Sequence, residues 1–82
     1  MVEVTYEPKF KEQVSKLRDH ATKDKVKKQL VKIIANPEIG KPMRYGRKGT
    51  RELRVAPFRL CYVWNAKENI IDIIELYHKD KQ

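Results

Sequence analysis

The spacing of apolar residues along this 82-residue chain changes several times, and each change marks an expected boundary. Val2-Glu-Val-Thr-Tyr6 alternates apolar and polar positions with β-branched content, which predicts a short strand. Pro8 suits the first position of a helix, where its missing N–H is no loss. Phe10, Val14 and Leu17 then recur at helical spacing, one stripe on a helix expected to end near His20. Thr22 is the expected cap of a second helix, whose stripe is Val26, Leu30, Ile33 and Ile34. Asn36-Pro37 ends it, because a residue before proline is pushed out of the α region. So short a link between amphipathic helices predicts an antiparallel hairpin.

Residues 38–49 hold Gly40, Pro42, Gly46 and Gly49 and read as loop or irregular strand. Three runs rich in β-branched and aromatic residues follow: 50–55, 58–64 and 70–77. Ala56-Pro57 and residues 65–69 separate them, so they read as consecutive antiparallel strands joined by tight turns. The expected fold class is α+β, in the order β-α-α-β-β-β, as a single domain over residues 1–82. A helical hairpin packs on one face of a mainly antiparallel four-stranded sheet and leaves the other face open.

Charge sharpens this picture. Residues 41–59 carry seven basic side chains (Lys41, Arg44, Arg47, Lys48, Arg51, Arg54, Arg59) against the single acid Glu52, within a chain of net charge +8. Positive charge held in place by strands is suited to a phosphate backbone, which points to RNA or DNA. Between residues 7 and 35 there are nine Lys/Arg and four Asp/Glu, read as a solvated back surface because the apolar stripes face the sheet. The single Cys61 excludes an intramolecular disulfide and a cysteine-based zinc site, and is expected as a small buried hydrophobe. No metal or other cofactor is implied. With no apolar run long enough to span a membrane and no signal-like start, a soluble cytoplasmic protein is expected.

Strand alternation brings candidate chemistry together. Leu53 and Val55 share one face of their strand, Glu52 and Arg54 the other. Phe58, Leu60, Tyr62 and Trp64 share one face of the next, Arg59 and Cys61 the other. With the apolar set in the core, Glu52, Arg54 and Arg59 meet on the open face. Arg51 has core parity and is expected at a frayed strand start. The run 70–77 is apolar on both parities, so periodicity leaves it unoriented; its end brings Tyr77, His78 and Lys79 to the sheet rim. Two arginines, a carboxylate and a histidine on one face suit attack of a ribose 2′-hydroxyl on phosphorus. The arginines neutralise charge and His78 supplies a proton transfer.

The element order, together with Glu52-Leu-Arg54, Pro57, Arg59 and Tyr62 as an ELR-x-x-P-x-R-x-x-Y pattern, resembles the RelE/ParE toxin superfamily of type II toxin–antitoxin systems. The resemblance covers nearly the whole chain and implies the RelE-like microbial ribonuclease-type fold. Gly40-Lys41-Pro42, Phe58-Arg-Leu-Cys-Tyr62 and Tyr77-His78 are similar to the YoeB branch. It implies a ribosome-dependent mRNA endoribonuclease that cleaves A-site mRNA and arrests translation. Its implied partners are mRNA, the ribosome and a small acidic RelB-like antitoxin. Arg59 and Arg54 then match phosphate-neutralising positions, and His78 a general acid. Lys41, Arg44, Arg47, Lys48, Arg51 and Lys79 are the expected RNA contacts. Met43 stands where the YoeB branch has glutamate, and Glu52 where RelE has lysine, leaving the base open among Glu52, Lys79 and a ribosomal group. The alternatives are a ParE-like DNA gyrase inhibitor without nuclease activity and an RNA-binding or decayed toxin homologue.

Overall fold

Two helices cover one face of a single sheet in the computed structural model, whose described residues are 1–43 and 49–78. The elements are β1 (Glu3–Tyr6), α1 (Pro8–Ser15), α2 (His20–Ala35), β2 (Lys41–Pro42), β3 (Arg51–Val55), β4 (Phe58–Asn65) and β5 (Ile70–His78). They lie across the sheet in the order β1-β5-β4-β3-β2. Only β1 runs parallel to its neighbour β5; the other pairings are antiparallel. The expected four strands gain a fifth, because Lys41 and Pro42 in the glycine-rich segment pair with Glu52 and Arg51.

The helix boundaries differ from expectation for a local reason. Asp19, not Thr22, caps α2: its Oδ1 accepts from the Ala21 N–H at 3.1 Å and its Oδ2 from the Thr22 hydroxyl at 2.8 Å. The Thr22 hydroxyl is the leading reason that the Asp19 carboxyl is held below its usual range, with the Ala21 N–H next. A capping residue must be extended, as Asp19 is (φ −84°, ψ 115°), so α1 stops at Ser15 instead of running to His20. His20 becomes the exposed first residue of α2. The apolar stripes otherwise hold. Phe10, Val26 and Ile33 are buried, while Val14, Leu17 and Leu30 pack around them. Ile34 is 41% exposed, lying at the margin of the α2 stripe.

The core closes on β4 and β5. Leu60, Tyr62, Ile71, Ile73 and Leu76 are almost wholly buried. Ile71 and Ile73 are odd-numbered and Leu76 even, which a regular strand cannot reconcile. A bulge does: Cys61 pairs with Glu75 and Tyr62 with Ile73, so Ile74 is the extra residue and the faces exchange beyond it. The register shift therefore orients the strand that periodicity left ambiguous.

Both sheet edges are closed by a glutamine from a helix. β1 pairs with β5 only as far as Ile73, and beyond it the Leu76 N–H donates to Gln13 Oε1 at 2.7 Å. β2 pairs with β3 only at Arg51 and Glu52, and beyond it Gln29 Nε2 donates to the Arg54 carbonyl at 2.9 Å. Each bond satisfies a backbone group that an edge strand leaves open.

Tyr62 ties the chain after α2 to the core. Its hydroxyl donates to the Pro37 carbonyl at 2.7 Å and accepts from the Gly40 N–H at 2.8 Å. Gly40 presses against the ring, and a Cβ there would lie 2.6 Å from the hydroxyl and 2.7 Å from Cε1. Because Tyr62 is fully buried, Gly40→Ala is expected to cost about 1–3 kcal/mol by overpacking. Tyr62→Phe strands two backbone groups and should cost about as much. Burial pushes the Tyr62 phenol above its ordinary value near 10.0, against the opposing pull of the Gly40 N–H and the Arg51 charge. The unfolded phenol ionises first, so its contribution is complete below about pH 10 and is lost as pH rises toward the folded pKa. Thermal melts from pH 8 to 11 should therefore fall more steeply for wild type than for Tyr62→Phe. Parallel profiles would refute this assignment.

Candidate phosphate-binding face of the sheet

Cross-strand register defines the open face, because paired residues project to the same side. One row runs Lys41, Glu52, Cys61 and Glu75; the next runs Arg54, Arg59 and Tyr77. Arg54 and Arg59 are direct partners across β3 and β4. The three residues expected to meet there, Glu52, Arg54 and Arg59, do so, joined by Lys41 at the β2 edge.

Glu52 is the least expected member. Its side chain is only 2% exposed although it faces away from the helices, while that of Arg59 is 32% exposed. Arg59 Nη1 lies 3.6 Å from Glu52 Oε1, and the Tyr77 hydroxyl donates to Glu52 Oε2. Tyr77 belongs to β5, so its ring crosses β4 to reach a residue two strands away; the small buried Cys61 between them leaves room for the crossing. Burying a carboxyl group is costly unless charge and hydrogen bonds compensate it; Arg59 supplies a nearby charge and Tyr77 a hydrogen bond to Oε2, while Oε1 has no hydrogen-bond partner among the described residues. At 3.6 Å the ion pair is longer than a direct hydrogen bond, and Arg59 Nε is buried without a hydrogen-bond partner among the described residues. The guanidinium is thus anchored at one corner, and its side chain stays partly exposed.

Sequence parity did not identify Tyr77, although a signal for it exists. Asp72 and Glu75 are both charged and lie three residues apart, so they cannot share the solvent face of a regular strand. That conflict implies the bulge, and the bulge carries Tyr77 to the open face. Glu75, on the same face, is met by Lys9, whose Nζ is 3.2 Å from its Oε1.

The same shift moves His78 away. Phe58 pairs with His78, and their rings meet edge to face with centroids 5.6 Å apart. Phe58 has the parity of core Leu60, so His78 lies on the helical side, where it lines a cavity of about 360 Å³ with Gln13, Lys16 and Leu17. The expected convergence of His78 with the two arginines is therefore corrected: the bulge reverses the face of every residue beyond Ile74. Arg51 is likewise not at a frayed end. It pairs with Tyr62, and its Nη1 donates to the carbonyls of Glu38 at 3.0 Å and Gly40 at 2.8 Å, bracing the segment before β2. Arg44, Arg47, Lys48 and Lys79 lie outside the described residues.

The sequence and the fold match a known family and known structures. Residues 4–82 match the family described as ParE toxin of type II toxin–antitoxin system, parDE, and the chain belongs to that family. Among solved structures it is similar to a chain of the intact E. coli RelBE toxin–antitoxin complex (19% identity, TM-score 0.77, 95% of this chain and 96% of that chain). It is also similar to a YoeB/ParE toxin from Agrobacterium tumefaciens (13%, TM-score 0.83, 94% and 98%) and to a chain of the RelBE2 complex from Mycobacterium tuberculosis (22%, TM-score 0.80, 95% and 98%). No curated protein matches it in sequence. No helix among the described residues is long and apolar enough to cross a membrane.

Removing Arg59 strips the buried Glu52 carboxylate of its cation. Arg59→Ala is expected to destabilise the protein by about 2–4 kcal/mol, and Glu52→Gln in that background to restore part of the loss. Denaturant unfolding of wild type, both single variants and the double variant measures the coupling. Simple additivity would show that the two side chains act independently.

Proposed function

We propose that this protein is the toxin of a type II toxin–antitoxin system and cuts mRNA on the ribosome. The observation that carries the reading is the direct pairing of Arg54 with Arg59. Like charges directly opposed on a sheet are destabilising by themselves, and an anion seated across both relieves the repulsion. Glu52 offsets one of the two charges, leaving exposed Arg54 and partly exposed Arg59 for a phosphate.

On this reading the ribose 2′-oxygen attacks the adjacent phosphorus, the bond to the 5′-oxygen breaks, and the products are a 2′,3′-cyclic phosphate and a 5′-hydroxyl. Arg54 and Arg59 neutralise charge growing on the non-bridging oxygens, a preorganised contribution of roughly 10²–10³ per donor. Glu52 is a positioning residue rather than the base, since its side chain is almost wholly buried and its Oε2 accepts from the Tyr77 hydroxyl. His78, on the far face, takes no part in proton transfer in this conformation. Proton transfer falls to Lys79, beyond the described residues, or to groups of the ribosome. Lys41 adds positive charge along the RNA path.

A small acidic RelB-like antitoxin is the proposed partner. Charge complementarity to a +8 chain supports it, as do the toxin–antitoxin complexes among the similar structures. Two observations favour a second reading, gyrase inhibition: the matched family is that of ParE, and the buried Glu52 lowers the positive charge of the face.

Arg54 is exposed, so its removal leaves the core intact. Arg54→Ala is expected to keep the melting temperature and to lower mRNA cleavage roughly 10²–10³-fold in a translation extract with mapped mRNA ends. If wild-type protein generates no new ends yet blocks supercoiling by purified DNA gyrase, the nuclease reading is wrong and the second reading replaces it.

A further inference from the structure

A second cationic feature adjoins the first from the helical side of the sheet. Lys25, Lys28 and Lys32 fall at i, i+3 and i+7 on α2, so they form one ridge. With Arg54 they line a cavity of about 380 Å³ above Val55 and Ala56, and no acidic residue among the described residues lines it. Arg54 is thus common to this cavity and to the open face, at the free edge where β2 has ended. Anything that leaves the open face past Arg54 arrives among these lysines.

Gln29 lies in the same cavity, where its Nε2 donates to the Arg54 carbonyl and holds α2 against the strand. Four cations suit an anion, and the phosphodiester backbone that passes Arg54 on the open face is the one continuous with them.

We propose that the α2–β3 cavity binds a backbone phosphate of the RNA strand flanking the one held at Arg54 and Arg59. The inference rests on the RNA-cutting reading and extends its binding surface around the sheet edge.

The three lysines are exposed, so the Lys25→Gln/Lys28→Gln/Lys32→Gln variant keeps its fold, with a melting curve as the control. Fluorescence anisotropy of the full-length protein is measured at several salt concentrations. The probes are a single-stranded RNA of about 12 nucleotides, a DNA of the same sequence, a ribodinucleotide and poly-glutamate. Binding of the DNA measures the part of the affinity that depends on the phosphates alone. The variant should bind the RNA roughly tenfold more weakly, with the slope of log affinity against log salt reduced by about two, and bind the dinucleotide unchanged. Unchanged RNA affinity, or equal loss on RNA and dinucleotide, would overturn the proposal. Loss confined to poly-glutamate would overturn it in favour of a docking surface for an acidic protein. Wild type that binds no RNA at any salt would remove the RNA-cutting reading as well, whereas RNA binding indifferent to the lysines removes this inference alone.

Discussion

The arrangement of this protein turns on one carboxylate buried where a sheet should meet solvent. Glu52 is held by Arg59 from β4 and Tyr77 from β5, so a single side chain on β3 gathers three strands. Burying such a group is costly unless it is compensated, and the groups that compensate it are thereby placed. Arg59 gains an orientation that a solvated arginine lacks, while its side chain stays partly exposed. The acid thus makes a basic surface directional.

A related economy governs the sheet edges. Short β1 and β2 leave β5 and β3 with open backbone groups, and each helix sends one glutamine to close them. These bonds also bring the helices to the sheet at set positions. The Gln29 bond seats α2 against Arg54 and so builds the cavity in which helical lysines and a strand arginine meet. Edge protection and the continuity of positive charge share one contact.

Much of the architecture was legible because periodicity reports burial directly. Phe10, Val26, Ile33, Leu60 and Tyr62 were readable as core from spacing alone, and each is buried. Cys61 was readable as a small buried residue and is one. Strand parity placed Glu52, Arg54 and Arg59 on a common face, as their register shows. The misses have specific causes. Asp19 and Thr22 are both good caps, and the choice between them depends on where the preceding turn releases the chain. Lys41 and Pro42 form a strand too short for any pattern to register. Arg51 and Lys41 look equivalent as basic residues, yet one braces loop carbonyls and the other lies on the open face.

The chain's own order of residues determined the helices, the meander, the open face and its surplus of positive charge, since these follow from local spacing and composition. Tertiary structure decided what those charges do. The bulge at Ile74 exchanged Tyr77 for His78 on the arginine face, because register between strands depends on how the whole core packs. Burial of Glu52 likewise required residues from three strands to close around it. Pairings between residues 25 positions apart, such as Glu52 with Tyr77, exist only once the sheet has formed, so no local pattern carries them.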